Sequence, residues 1–231
     1  MTAAATSALA FVQPMTLEDP LDYLSCSTIV EYRKKRVIYN VEQPSTGIYL
    51  ILDGRVKVSR LADDGHEAVV DIYRADELFG ESALLGAPRH AEQATALETT
   101  KVMTWTAAEI EDMVVKRPKL AVALLQILAR RTLDFGRRIE SFSVDNGAHR
   151  LARSLLHFSE RFGTPDNDGA VQMAAFTHEL LSQYVGISRE IITHHMNFFR
   201  KRGYLTYTRR EIVVQKNAMK DWLHQDAYLS R

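Results

Sequence analysis

The sequence has a single cysteine, Cys26, among 231 residues. A lone thiol excludes an internal disulfide framework and any thiolate cluster built from one chain. With no partner at a metal-ligand or redox spacing, Cys26 reads as an inert small residue. Long apolar runs are missing too, since a membrane span needs roughly 20 such residues and the longest stretches fall far short. The alanine-rich start has no basic segment ahead of it, so no secretion signal is expected, and a cytoplasmic location is. Net charge is absent as well, with 29 Lys and Arg against 29 Asp and Glu. That balance would speak against a nucleic-acid partner if it were uniform, and it is not. From Asp145 onward 12 Lys and Arg meet 9 Asp and Glu, which leaves 17 against 20 before that point, and six of the eight histidines lie in the same C-terminal part. The sign suits an anionic partner there, although an asymmetry this small also arises by chance.

What is present organises itself along the chain, whose length suits two domains. From about Arg36 to Thr106 short runs recur at Val37 to Tyr39, Ile48 to Leu52, Val56 to Val58, Val69 to Tyr73 and Lys101 to Trp105. Such β-branched, alternating runs predict strands. Gln43-Pro44-Ser45-Thr46-Gly47 marks a turn, while Asp53-Gly54 and Asp63-Asp64-Gly65 are expected to close tight hairpins. Many short strands at even spacing argue for a rolled antiparallel sheet, jelly-roll-like.

After Trp105 the period changes. Thr106 with Glu109 three residues on predicts a capped helix to about Val115, and Pro118 opens a long second helix with only Gly136 as a breaker before Ser143. Along it Ala121, Leu125, Leu128, Thr132, Phe135, Ile139 and Phe142 step by alternating fours and threes, the a/d spacing of a coiled coil. Arg130-Arg131 and Arg137-Arg138 confine the apolar face to a narrow strip, which suits a seam against a second copy better than packing on the chain's own strands. Asp145-Asn146-Gly147 breaks the helix and marks a boundary; Leu151, Leu155, Leu156 and Phe158 begin another helix, a polar loop covers 163–169, and Val171, Met173 and Ala175 alternate as a strand. The expected division is a β-roll over 1–117, a dimerisation helix over 118–144 and a third unit over 145–231, an α+β architecture.

The most informative stretch is THELLSQYVGISREIITHHMNFFRKRGYL from Thr177. Thr177 can cap a helix with Leu181, Tyr184 and Val185 on one face, and Gly186 can end it in the left-handed conformation of a sharp turn. Ser188 then caps a second helix. Ile192, Met196 and Phe199 face its core, leaving Arg189, Glu190, Thr193, His194 and Asn197 on the opposite, hydrogen-bonding side. A helix, a glycine turn and a second helix with such a face fit a major groove of double-stranded DNA. Arg189 can donate twice to guanine, Glu190 can accept from cytosine, and Thr193, His194 and Asn197 can reach bases or phosphates. Tyr204 to Thr208 and Ile212 to Val214 read as a wing hairpin around Arg209-Arg210; these arginines, Lys201 and the caps Thr177 and Ser188 are candidate phosphate contacts. Each basic residue taken singly is as easily a solvated surface charge, and Arg189-Glu190 alone would be an ordinary first helical turn. The assembly is what argues for DNA.

With these residues in place the chain resembles the CRP/FNR superfamily of bacterial transcription regulators, which combine a cyclic-nucleotide-binding-like β-roll, a long dimerisation helix and a winged helix-turn-helix. The resemblance runs from about Thr28 to Val214. It is carried by Val185 to Ile192, by Tyr49 to Val58, and by Phe79-Gly80-Glu81, where the family's phosphate-binding cassette begins. The resemblance implies a homodimer on palindromic operators, gated by a small effector in the roll, with RNA polymerase as a further partner and Gly80, Glu81, Arg89, His90 and Phe135 as effector-pocket candidates. In members that bind cyclic AMP an Arg-Ser pair follows the Gly-Glu and holds the cyclic phosphate. Here His90-Ala91 stands in its place, one loop residue is missing, Arg89 is displaced by one, and Phe135 and Gly136 occupy the helix positions that offer hydroxyls to the adenine. An uncompensated phosphate in a closed pocket costs several kcal/mol, which speaks against cyclic AMP. If a cyclic nucleotide binds, Glu81 would hold a ribose hydroxyl and Arg89 or His90 the phosphate; Glu81 is equally readable as structural. The iron–sulfur cysteines of FNR-type members are absent, and no His/Cys arrangement marks a haem.

Three other functions compete with effector gating. One is a constitutive regulator whose pocket is filled by its own bulky side chains, His90 and Phe135 among them. A second, a regulatory cyclic-nucleotide module, would leave the C-terminal motif without a task. An enzyme is the third, yet there is no nucleophile–base pairing and no phosphate-binding glycine loop. Adjacent His194-His195 point about 100° apart on a helix and cannot readily share a metal. The loop at 163–169 is a candidate polymerase contact, though such loops are usually plain connectors.

Overall fold

Apart from the hairpin of Arg55–Leu61 with Glu67–Arg74, consecutive strands in the N-terminal half fall in different sheets of two. The computed structural model describes residues 16–229 apart from 64, 167 and 168, with side chains to 225. The alanine-rich start, Asp64 of the second turn signal and Asn167-Asp168 of the polar loop lie outside the described residues.

The first sheet orders β1 (Thr28–Tyr32), β8 (Thr100–Thr106), β3 (Gly47–Asp53) and β6 (Leu78–Phe79); the second orders β2 (Val37–Tyr39), β7 (Gln93–Ala96), β4 (Arg55–Leu61) and β5 (Glu67–Arg74). All pairings are antiparallel. Inward side chains of both sheets, among them Tyr39, Ile51, Val56, Tyr73, Phe79 and Val102, form one core between them. Asp53-Gly54 is therefore not the tight hairpin its dipeptide predicts. Both edges of β3 are taken, by β8 and β6, so the chain must cross to the other sheet. Gly54 makes that corner at φ +90°, where a Cβ would lie 2.6 Å from the Thr99 carbonyl. The turn around Asp63 and Gly65 does join paired strands, β4 and β5.

Two helices follow the roll. α1 (Ala107–Lys116) starts on a full capping box between Thr106 and Glu109, and α2 (Lys119–Val144) runs unbroken through Gly136. A single glycine costs a helix about 1 kcal/mol, too little to stop one of this length. Leu120 and Ala123 are buried, with Leu120 in the cluster that holds Trp105, Ile110 and Met113 against the outside of the first sheet. Farther along, the same side of α2 carries Arg131 and Arg138 inward. Arg131 binds Glu81 and the Leu78 carbonyl, and Arg138 binds the carbonyls of Val69 and Val70. These two arginines thus do not border a dimer strip as solvated flanks. They anchor the helix to its own roll.

The C-terminal third begins at α3 (Gly147–Phe162), capped by Asn146, and continues through a small sheet ordered β11 (Leu205–Tyr207), β12 (Glu211–Gln215), β10 (Ala170–Ala174), β9 (Thr164–Pro165). Between β10 and β11 lie α4 (His178–Val185) and α5 (Arg189–Lys201), and α6 (Lys216–Leu229) closes the chain. Val69 and Ile72 of β5 share a core with Leu181, Tyr184 and Phe199, so the C-terminal unit is docked on the roll. No helix among the described residues is long and apolar enough to cross a membrane.

Candidate nucleic-acid interface

The chain reverses between α4 and α5 in three residues. Thr177 caps α4 by accepting from the Leu180 N–H, and Ser188 caps α5 by accepting from the Ile191 N–H. Gly186, at φ +71°, ends α4 in the left-handed region, and a Cβ there would come within 3.0 Å of the Phe142 ring. Ile192, Met196 and Phe199 are buried to 0–1% exposure, which fixes the rotation of α5 about its axis. Arg189, Glu190 and His194 are consequently exposed, and Thr193 and Asn197 half-buried. At the start of the helix the Glu190 carboxyl is held below the usual carboxylate range by its own backbone N–H and the Ser188 hydroxyl, so it is an ionised acceptor.

Besides Glu190, two more of the five face residues are engaged within the chain. The Thr193 hydroxyl donates to the Arg189 carbonyl at 2.9 Å and lies 2.8 Å from His178 Nδ1. Burial, reinforced by Arg189, pushes His178 below the ordinary histidine value, so it is neutral near pH 7. The Asn197 carboxamide oxygen accepts from Arg200 at 3.0 Å and from the Tyr207 hydroxyl at 3.2 Å, tying α5 to the wing. His178 and Tyr207 escaped the sequence reading because their bonds join separate elements, whereas Arg200 lies three residues after Asn197 on α5 itself. The wing bends through exposed Arg209 and Arg210, and Lys201 is exposed at the end of α5.

On α2, Leu125 is 65% exposed, Leu128 36%, Ile139 66% and Phe142 44%, an apolar stripe that the chain's own strands leave uncovered. Thr132 lies on the same stripe and is exposed, while Phe135 is half-buried.

The five effector-pocket candidates are not brought together. Gly80, at φ +85°, meets a packing demand, since a Cβ would lie 2.7 Å from the Tyr49 ring. Glu81 is in an ion pair with Arg131 at 2.9 Å, and that guanidinium lies over the Tyr73 ring. His90, 3% exposed, stacks on Tyr39 with ring centroids 3.7 Å apart, and its Nδ1 lies 3.2 Å from the Ser82 hydroxyl. Burial holds it below the ordinary histidine value. Arg89 is exposed, and Phe135 lines a different cavity, formed by α2, β5 and helices of the C-terminal unit. The sequence reading gave Arg131 only a place beside the seam and not its pairing with Glu81, although a signal existed. Arg131 lies seven residues before Arg138, so the two share one helical face, and each directly precedes a seam position.

Comparison with known proteins gives this geometry a setting. Residues 29–117 match the cyclic nucleotide-binding domain and residues 149–221 the Crp-like helix-turn-helix domain. The chain is 24% identical over 185 residues to a CRP-like cAMP-activated global transcriptional regulator of Mycobacterium tuberculosis, covering 80% of this chain and 83% of that one. It is 28% identical over 189 residues to a global nitrogen regulator of Synechococcus elongatus, covering 80% and 85%. Among solved structures, a CRP/FNR-family transcriptional regulator from Thermus thermophilus superposes with a TM-score of 0.68 at 25% identity, over 85% of this chain and 98% of that one. FixK2 from Bradyrhizobium japonicum superposes at 0.75 with 21% identity, over 86% and 97%. With both domain families matched in order and a winged helix-turn-helix at the C-terminal end, the chain belongs to the CRP/FNR superfamily of transcription regulators.

Proposed function

We propose that the protein is a homodimeric regulator, cytoplasmic and without catalytic activity, that reads a two-fold-symmetric operator with the outer face of α5 from each copy. The observation that carries this reading is the exposed Arg189, Glu190 and His194 face, set by two capped helix starts and a left-handed glycine. Arg189 would take guanine and Glu190 cytosine, with His194 beside them. Thr193 and Asn197, whose oxygens are engaged, would offer a methyl group and an amide N–H₂. Lys201, Arg209, Arg210 and the N-terminal caps Thr177 and Ser188 would hold phosphate. The exposed stripe from Leu125 to Phe142 would be the seam, with 1–117 as sensor, 118–144 as coupling helix and 145–231 as head. Selection from a pool of randomised duplexes tests this: enrichment of a palindrome with half-sites about one helical turn apart supports it, and absence of any enriched sequence contradicts it.

A second reading concerns the roll. The Tyr39–His90 stack and the Arg131–Glu81 pair favour an interior occupied by the chain's own side chains over one that takes a cyclic nucleotide. Glu81 would have to leave a buried guanidinium to meet a ribose, and exposed Arg89 would have to turn inward to meet the phosphate. Dialysed protein that binds its selected duplex equally well with and without cyclic AMP would bear this out; a cyclic-AMP requirement would refute it. RNA polymerase would be a further partner, as the family resemblance implies.

A further inference from the structure

Between the C-terminal half of α2, α3, α4 and α6 lies a cavity of about 650 Å³, which Val70 and Asp71 of β5 also line. Its walls are part apolar, from Phe135, Phe142, Leu156, Val185 and Leu223. Its charges are unevenly matched. Asp134 pairs with Arg137, Asp145 with Arg153, Glu160 with Lys220, and Asp71 with Arg161 of α3. Glu140 is the remaining acid and is exposed. Two cations are left over, Arg138 and Arg150. Among the described residues neither pairs with a carboxylate, and the Nε of each is buried without a hydrogen-bond partner. Both lie against the same ring, Phe142, with guanidinium carbons 5.7 and 5.4 Å from its centroid. Arg138 makes its bonds to the carbonyls of Val69, Val70 and Tyr184, and Arg150 makes one long bond of 3.4 Å to the Asp145 carbonyl. The nearby His157 imidazole is held below its ordinary value by burial and by Arg161, and so adds no charge near pH 7.

We propose that this hinge cavity, and not the β-roll, is the effector site, and that it takes a carboxylate, sulfonate or phosphate carried on a flat apolar body. The anion would sit between the guanidinium groups of Arg138 and Arg150, where charge-assisted hydrogen bonds are strong. The body would lie against Phe142, Leu156 and Leu223. Because roll, hinge and head each contribute wall, an occupant favours the docked arrangement of the head over any other, which is what coupling between sites requires. That regulatory consequence rests on the DNA-binding reading; the binding event itself does not.

The test is isothermal titration calorimetry of the intact protein with 1-naphthoate, in the absence of DNA, so that failure to select any duplex leaves the isotherm interpretable. The expected result is one saturable site per chain, at least about tenfold weaker for Arg150→Gln and for the uncharged 1-naphthalenemethanol, and unchanged for Arg89→Gln, which alters only an exposed arginine of the roll. Ser154→Trp, which fills the cavity from α3, guards against a folding artefact in the arginine variant and should abolish binding with the circular dichroism spectrum retained. No saturable naphthoate binding, or equal affinity of the acid and the alcohol, overturns the proposal, as does full affinity in the Ser154→Trp protein.

Discussion

Individual side chains in the head divide into those that face solvent and those that brace the face. Arg209 is exposed at the wing tip. Arg209→Ala should weaken binding to all duplexes by a similar factor and lower the slope of log affinity against log salt by roughly one, because a single counterion is no longer released. A change confined to one sequence would contradict its placement on phosphate. Histidine protonation gives a second expectation. His90, His157, His178 and His195 are all held below the ordinary value by burial, with Arg161, Arg189 and His194 adding to the last three in turn. Each is therefore neutral in the folded chain at a pH where the unfolded chain, titrating near pH 6.5, has taken up a proton. The unfolded state then binds more protons, so stability is full above about pH 7 and falls as pH drops through about 6.5 toward the depressed folded values. Thermal melts between pH 8 and 5 should show a falling midpoint; a flat profile would mean that these imidazoles are not buried as described.

Helix ends and helix faces are where sequence and structure agree most closely. Thr106 with Glu109, Thr177, Gly186 and Ser188 were legible because caps and glycine turns depend on residues a few positions apart. The i,i+3 and i,i+4 stripe of α5 was legible for the same reason. What escaped was long-range. Whether Asp53-Gly54 closes a hairpin depends on which strands flank β3, and Arg131 and Arg138 turn inward because Glu81 and the β5 carbonyls wait there, some 50 to 70 residues away. The last helix, α6, escaped the sequence reading although Met219, Trp222 and Leu223 stand at i, i+3 and i+4 and pack in the C-terminal core. Two expectations belong at this scale. Gly186→Ala should cost about 1–2 kcal/mol, since an alanine at φ +71° is strained and its Cβ meets the Phe142 ring; denaturant unfolding checks this, and an unchanged midpoint would contradict it. Leu128→Glu places a charge on the α2 stripe and should give monomers in sedimentation velocity while leaving the circular dichroism of the chain intact. Persisting dimers would place the seam elsewhere.

Across the whole molecule, head and roll are held together by a few buried polar contacts on a shared apolar patch. Arg161 of α3 reaches Asp71 at 2.7 Å, Glu77 at 2.9 Å and the Ile72 carbonyl at 3.0 Å. Burial works against its charge, and the two carboxylates more than offset that, raising its pKa above the ordinary arginine value. Removing one partner of a buried pair costs about 3–5 kcal/mol, and partial exposure of this one trims the expected loss for Arg161→Met to about 2–3 kcal/mol. A loss below 0.5 kcal/mol, roughly that of an ordinary surface substitution, would show that the head is not docked through this side chain.

Base readout by α5 is tested most directly by repeating duplex selection with Arg189→Ala beside the unaltered protein. The account predicts the same palindrome from both, with preference lost at one base pair in each half-site of the variant. An identical motif from the two proteins, base for base, would contradict it.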